Sequence, residues 1–201
     1  RIEGDSGEKA FMQQLDKAFD SNGASIIGAG DYKVYWYYDI EADGRPLLFV
    51  HSINAAPSAI ELKPLFQHFR SYRSVYAPDL PGFWRSTRHV GTMTPLDFAT
   101  NITSIIEQMC PSEPPDVVAM SLGCEVVARA VVDCGANVRS LTFISPTGFS
   151  RREPPPVQAQ KLLRRLFGFA GFGRGAFKLL RLERSIRYFY GMNFSGPVPT
   201  E

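Results

Sequence analysis

The chain has 201 residues, 44% of them hydrophobic, enough for one domain with a real core at the usual size of roughly 100 to 200 residues. Its formal charge of +2 hides an asymmetry: residues 1–150 carry 12 Lys and Arg against 17 Asp and Glu, net −5, whereas 151–201 carry 10 against 3, net +7. The longest nearly unbroken apolar runs, "PLLFV" and "VVAM", fall far short of the about 20 residues a membrane-spanning helix needs, and the opening residues do not read as a charged-then-apolar leader, so a soluble globular protein is expected. Three cysteines, Cys110, Cys124 and Cys134, lack CxxC spacing. They predict neither a disulfide framework nor a metal site, and they point to a reducing compartment such as the cytoplasm.

In chain order, residues 6–20 read as a polar helix and "YKVYWYYDI" as a strand ending in the "EADGR" turn, aromatic and β-branched residues giving way to Asp-Gly. "LLFVH" is the next strand. "SAIELKPLFQHFR" has apolar residues at helical spacing, "SVYAP" is a short strand, and "TPLDFATNITSIIEQM" opens a helix with Thr94 as N-cap and Pro95 in its first turn. "DVVAM" into "LGCEVVARAVVDCG" repeats the alternation, with Gly135 placed to stop the helix and Cys124 and Cys134 as small core residues on it. "VRSLTFIS" then reads as a strand buried on both faces. Such alternation predicts an α/β fold, a mostly parallel sheet flanked by helices, with ligands at the carboxyl ends of the strands.

One junction stands out. Ala119-Met120-Ser121-Leu122-Gly123 matches a G-x-S-x-G elbow with alanine for the first glycine. A strand that turns straight into a helix forces its central residue into a strained conformation, and the residues two before and two after must be small so that strand and helix can approach. The turn lifts the serine hydroxyl above the sheet over the positive end of a helix, which suits a developing oxyanion. A plain N-cap role is the competing reading of Ser121. Two further stretches end strands at the same rim: "LLFVHSINAA", with His51, Ser52, Ile53 and Asn54, and "YAPDLPGFWRST", with the tight turn Asp79 to Gly82.

On these residues the sequence resembles the α/β-hydrolase family, specifically its serine esterase and lipase-like branch with a lid. The likeness covers about residues 33–150, the N-terminal part of the fold: the family's H-G-x oxyanion loop matches His51-Ser52-Ile53, its D-x-P-G-x-G-x-S turn matches Asp79 to Ser86, and its elbow matches 119–123. The resemblance implies that Ser121 is the nucleophile and that the main-chain N–H groups of Leu122 and Ile53 form the oxyanion hole, with His51, Asn54, Trp84 and His89 at the pocket rim. Ser52 and Trp84 stand where the family has glycines. Dehalogenases and epoxide hydrolases of the family carry aspartate at the elbow, so serine implies hydrolysis of an apolar acyl ester through an acyl-enzyme, with thioester and carbon–carbon bond cleavage left open and no cofactor.

The family orders its triad as Ser, acid, His. Here the first acid after "LTFISPTGF" is Glu153, and the three histidines, His51, His68 and His89, all precede Ser121. The expectation is a chain truncated after about the sixth strand and inactive alone, with its triad acid and base beyond residue 201. His51 is expected to support its loop and His68 to be structural, whereas His89 is the only substitute base within reach. A non-catalytic binding module, associated with a membrane, is the alternative. The apolar strand at 138–145, left without a neighbour, is expected to make the fragment fold poorly.

Residues 157–190 interleave Leu and Phe with Arg and Lys. In "KLLRRLF", Leu162, Leu163, Leu166 and Phe167 share a helical face, and "GFAGFGRG" reads as a hinge. The resemblance makes 151–201 an incomplete helical lid, apolar side over Ser121, after a core spanning 1–150. A basic amphipathic helix also suits peripheral contact with an anionic membrane, and nucleic acid is not expected as a partner.

Overall fold

The computed structural model describes residues 16–40, 42–54, 57–88, 90–148 and 156–168, together with 175, 178–179, 182–185 and 187–188. Six strands form one sheet: β1 (Asn22–Ile27), β2 (Lys33–Asp39), β3 (Leu47–Val50), β4 (Val75–Pro78), β5 (Asp116–Met120) and β6 (Ser140–Ile144). Their spatial order is β1-β2-β4-β3-β5-β6; β2 runs antiparallel to both of its neighbours, β1 and β4, and the pairings β4–β3, β3–β5 and β5–β6 are parallel. This is the mostly parallel sheet flanked by helices that the alternation predicts. The helices are α1 (Lys63–Phe69), entered through a 3-10 turn at Ala59–Leu62, α2 (Pro95–Met109), α3 (Leu122–Cys134) and α4 (Val157–Gly168).

Two apolar clusters account for the central strands. Because successive side chains of a strand point to opposite faces, Leu48, Val50, Val117 and Ala119 pack with Ile102, Ile105 and Ile106 of α2 and Val126, Val127 and Ala130 of α3. Leu47, Phe49, Val75 and Ala77 pack instead with Leu62, Phe66, Ala18 and Phe19. All four residues of β3 are therefore buried, which is why "LLFV" is continuously apolar rather than alternating. At the amino ends of the strands the guanidinium of Arg73 bonds the carbonyls of Arg45 and Pro46 and sits 2.6 Å from the Asp116 carboxylate. Asp116 in turn accepts from the Ser140 hydroxyl, tying β5 to β6.

The helix ends follow the sequence closely. Thr94 and Asp97 form a reciprocal capping box at the start of α2, and Gly135 closes α3 at φ 71°. Two expectations need correcting, and one strand was not expected. Residues 16–20 are not helical, 18–21 running as bends, and the remainder of the stretch expected as a polar helix, 6–15, lies outside the described residues. Ala18 and Phe19 there are buried, Phe19 stacked on Phe66 with ring centroids 4.3 Å apart, so apolar docking fixes this stretch where helical propensity would not. A strand also forms at 22–27, where Asn, Gly and Ser obscure any alternation, because it pairs along its whole length with β2. And β6 is not buried on both faces: Leu141 and Phe143 are 36% and 37% exposed, the strand pairing with β5 alone among the described residues. Two compact units divide the chain, 1–149 and 150–201, and α4 belongs to the second.

Gly123 sets how close α3 comes to β3. A Cβ at this position would collide with the carbonyl oxygen of His51 and lie 3.4 Å from that of Val50. Gly123→Ala is accordingly expected to destabilise the fold by about 1–3 kcal/mol through overpacking against backbone that cannot yield. Urea unfolding measures this, and an unchanged midpoint would mean that strand and helix have room to spare.

Candidate functional site

Strand β5 runs into α3 through a single residue, Ser121. Its backbone sits at φ 54°, ψ −125°, and its side chain makes no capping bond to α3, so the plain N-cap role is not the one it plays. Its N–H donates to the Ile144 carbonyl of β6 at 2.9 Å and its carbonyl accepts from the Cys124 N–H at 3.1 Å. A non-glycine residue held there costs of order 1–3 kcal/mol, sustained by the packing around it. Ala119 is fully buried two residues before, and Gly123 abuts the His51 carbonyl two residues after. The thiol of Cys124 is buried beneath the elbow and donates to the Ala119 carbonyl, and burial raises its pKa.

The loop after β3 lies against this junction. The His51 ring is fully buried, with Nδ1 2.5 Å from the Ser52 carbonyl oxygen and Nε2 2.9 Å from the Leu80 N–H. A backbone N–H can only donate, so Nε2 is the bare nitrogen and Nδ1 carries the proton. Burial pulls its pKa down to about 4, against smaller opposing effects of the Ser52 carbonyl and Glu61. Next, the Glu61 carboxylate accepts from the Ser52 N–H at 2.9 Å, from the Ser52 hydroxyl at 2.8 Å and from the Asn54 amide at 3.0 Å.

A third loop, after β4, is held by Asp79. Its carboxylate accepts from the Tyr37 hydroxyl at 3.3 Å and from the N–H groups of Ala59 and Arg85 at 3.0 and 3.4 Å, while the Ser86 hydroxyl bonds its carbonyl oxygen. Burial raises the Asp79 pKa to about 6 despite these donors, and burial together with Asp79 pushes the Tyr37 phenol well above its usual value. Trp84, in a glycine's place, adopts φ 38° and its indole N–H donates to the Asp16 carbonyl at 3.0 Å.

Ile53 and Leu122 meet at one cavity of about 300 Å³, whose other walls are Met93, Pro95, Phe98, Glu125 and Val126. Of the expected rim residues, His51 is wholly buried beneath its loop, Asn54 is exposed with its amide turned to Ser52 and Glu61, and Trp84 is turned to Asp16; none of the three lines this cavity. His89 and Glu153 lie outside the described residues, and His68 is exposed on α1 against Phe69 and Tyr72. Met93, Phe98 and Glu125 were not singled out in the sequence. Phe98 and Glu125 lie in the first turns of α2 and α3, and helical spacing from Thr94 and Ser121 was the available signal. Glu61 gave no local signal, because its partners lie seven to nine residues earlier across a turn. Among the described residues no cluster of three His, Cys, Asp or Glu could hold a metal ion, and no helix is long and apolar enough to cross a membrane. In the second unit Val157, Leu162, Leu179 and Leu182 are exposed, while the side chains of Leu163, Leu166 and Phe167 and the hinge stretch at 169–174 lie outside the described residues.

Comparison with known proteins bears on the fold and the family. No curated protein matches the chain. Among solved structures it is similar to the epoxide hydrolase VrEH1 from Vigna radiata, with 16% identity, a TM-score of 0.66 and coverage of 94% of this chain and 61% of that one. It is similar also to an alpha/beta hydrolase fold protein from Burkholderia ambifaria, at 16% identity, TM-score 0.65 and coverage of 93% and 63%. A thermophilic esterase from Thermogutta terrifontis gives 18%, 0.59, 83% and 62%. The chain thus spans about three fifths of the length of each of these proteins, and at such identities the likeness speaks to fold alone. The alpha/beta hydrolase family model matches residues 47–199, from β3 through the loop after it and the strand–helix junction at Ser121 into the basic segment, and the chain belongs to the alpha/beta hydrolase family.

Proposed function

We propose that the protein is a serine hydrolase acting on apolar acyl esters, with Ser121 as its nucleophile. The observation that carries this reading is the Ser121 backbone: a residue with a side chain, held at φ 54° where strand meets helix, its hydroxyl spent on no cap. Oγ adds to the ester carbonyl carbon while its proton passes to a base. The carbonyl oxygen becomes an oxyanion and accepts from the N–H groups of Leu122 and Ile53. Collapse breaks the bond to the alcohol, which leaves with the proton, and water repeats the sequence on the acyl-enzyme to release the acid. Leu122 suits its role because it is the first residue of α3, where an N–H has no acceptor within the helix and the macrodipole is positive.

The apolar cavity beside these two residues supports the choice of acyl group. Six of its seven lining residues are apolar, and the one charge, Glu125, is paired with Arg129 at 3.2 Å. An uncharged hydrocarbon chain gains from burial there, whereas a carboxylate would meet Glu125. Serine rather than aspartate at the elbow favours ester over epoxide opening, although one structural relative is an epoxide hydrolase. His51 is a scaffold residue in this reading, since both of its nitrogens are committed; the family likeness implies an acid and a histidine that follow Ser121 in chain order.

Three outcomes are expected of the full-length protein. Fluorophosphonate labelling and turnover of p-nitrophenyl esters both depend on Ser121, and Ser121→Ala lowers kcat by at least about a thousandfold without shifting the melt. Retained turnover would remove Ser121 from the chemistry, and a folded but unlabelled protein would favour a binding module. Across a series of straight-chain esters kcat/KM rises by about fourfold per methylene until the cavity is full. Phe98→Ala extends that rise to longer chains; an unchanged optimum would place the acyl group elsewhere. Finally, the His51 ring resonances stay flat by NMR from pH 8 to 5 and move only as pH approaches 4. A midpoint near 6.5 would return His51 to the candidates for the base.

A further inference from the structure

We infer that Glu61 is a positioning residue for the oxyanion hole, a carboxylate clamp that aims the Ile53 N–H by fixing both peptide planes of Ser52. The inference rests on Ser121 being the nucleophile. Two planes meet at Ser52. The plane that follows it contains the Ser52 carbonyl and the Ile53 N–H, which point in opposite directions in a trans peptide. Protonated Nδ1 of His51 holds that carbonyl at 2.5 Å, so the ring sets the line along which the Ile53 N–H points. The plane that precedes Ser52 contains its own N–H, and this donates to Oε2 of Glu61 at 2.9 Å. With one plane held by each partner, neither φ nor ψ of Ser52 is free to turn.

The clamp is bidentate and cross-braced. Oε1 of Glu61 accepts the Ser52 hydroxyl at 2.8 Å and the Asn54 amide at 3.0 Å, and the same amide donates to the Ser52 hydroxyl oxygen at 2.6 Å. Residues on either side of Ile53 are thereby bound to one carboxylate, and Ser52 is only 4% exposed, so water does not compete freely for its N–H and hydroxyl, whereas the Asn54 amide braces them from the exposed side. Glu61 itself sits in the 3-10 turn at Ala59–Leu62, whose Ala59 N–H is held by the buried Asp79 carboxylate at 3.0 Å. The loop after β3 is therefore anchored to the loop after β4 twice, through the ring of His51 to Leu80 and through Glu61 and its turn to Asp79. A serine in the glycine position of the family's loop gives the carboxylate a hydroxyl to hold that glycine would lack.

The test uses full-length protein and p-nitrophenyl butyrate, with Glu61→Ala, Glu61→Gln, Ser52→Gly and the Ser52→Gly/Glu61→Ala double variant. Glu61→Ala is expected to lower kcat by about 10- to 100-fold with KM within about twofold, part of the loss that follows removal of an oxyanion donor. Glu61→Gln, which keeps one carbonyl acceptor, recovers most of it. The double variant loses less than the product of the two single losses, because both remove the same contact. Hydrogen exchange reads the clamp independently of chemistry: the Ser52 amide exchanges at least about tenfold faster in Glu61→Ala, whether or not Ser121 proves to be the nucleophile. Unchanged exchange would show that no clamp exists. Faster exchange with unchanged kcat, in an enzyme whose turnover does require Ser121, would show that the clamp does not position the oxyanion hole, as would a fall in melting temperature alone. Should Glu61→Ala not fold, the same two readouts on Glu61→Gln decide between these outcomes, with a smaller expected change.

Discussion

Complete burial leaves the imidazole of His51 one way to exist: neutral, with the proton on Nδ1 given to the Ser52 carbonyl and bare Nε2 taking the Leu80 N–H. An ionised ring would lose its hydration and gain no counter-charge that touches it, which is why its pKa falls to about 4. The first bond holds the ring within the loop that follows β3, and the second joins that loop to the one after β4, the two strands lying side by side in the sheet. The His51 carbonyl, meanwhile, lies where a Cβ of Gly123 would be, so the same residue fixes how close α3 approaches. The three loops at the carboxyl edge of the sheet thus meet at one histidine. A histidine whose carbonyl abuts Gly123 invites assignment as a catalytic base, but both of its ring nitrogens are already hydrogen-bonded.

The buried Asp79 does for the other side of this edge what His51 does for the middle. It gathers Tyr37 from β2, the Ala59 N–H from the turn before α1 and the Arg85 N–H from its own loop. Both groups are polar residues in an apolar setting, tolerable because nearly every donor and acceptor they bring is matched. Strain collects at the same edge. Trp84 and Ser121 have positive φ, and so does Ser145 immediately after β6. Backbone of this kind persists only where surrounding contacts over-determine it, and here those contacts are the hydrogen bonds of the neighbouring loops.

How much of this was legible depends on whether the cause was local. The alternation of "LLFV", "VYAP", "DVVAM" and "SLTFI" with helical stretches gave the sheet, since burial on both faces demands continuous apolar residues. Thr94 and Gly135 gave their helix ends for the same local reason. The elbow was legible because the approach of α3 to β3 requires small residues at fixed offsets from Ser121. By contrast β1 depends on a partner strand, the burial of Phe19 on rings from α1 and β2, and the grip of Glu61 on Ser52 on a turn between them. None of these has a period in the sequence. The residues of β6 are those of a central strand, and its exposure comes from its pairing with β5 alone among the described residues.

The backbone at residue 121 has a consequence of another kind. At φ 54°, ψ −125° the residue that fits with least strain is glycine, which has no Cβ to crowd the turn and no hydroxyl to offer. A serine here therefore costs stability that a glycine would not, and in the proposed reading the hydroxyl is what that strain retains: durability and chemistry pull in opposite directions at residue 121.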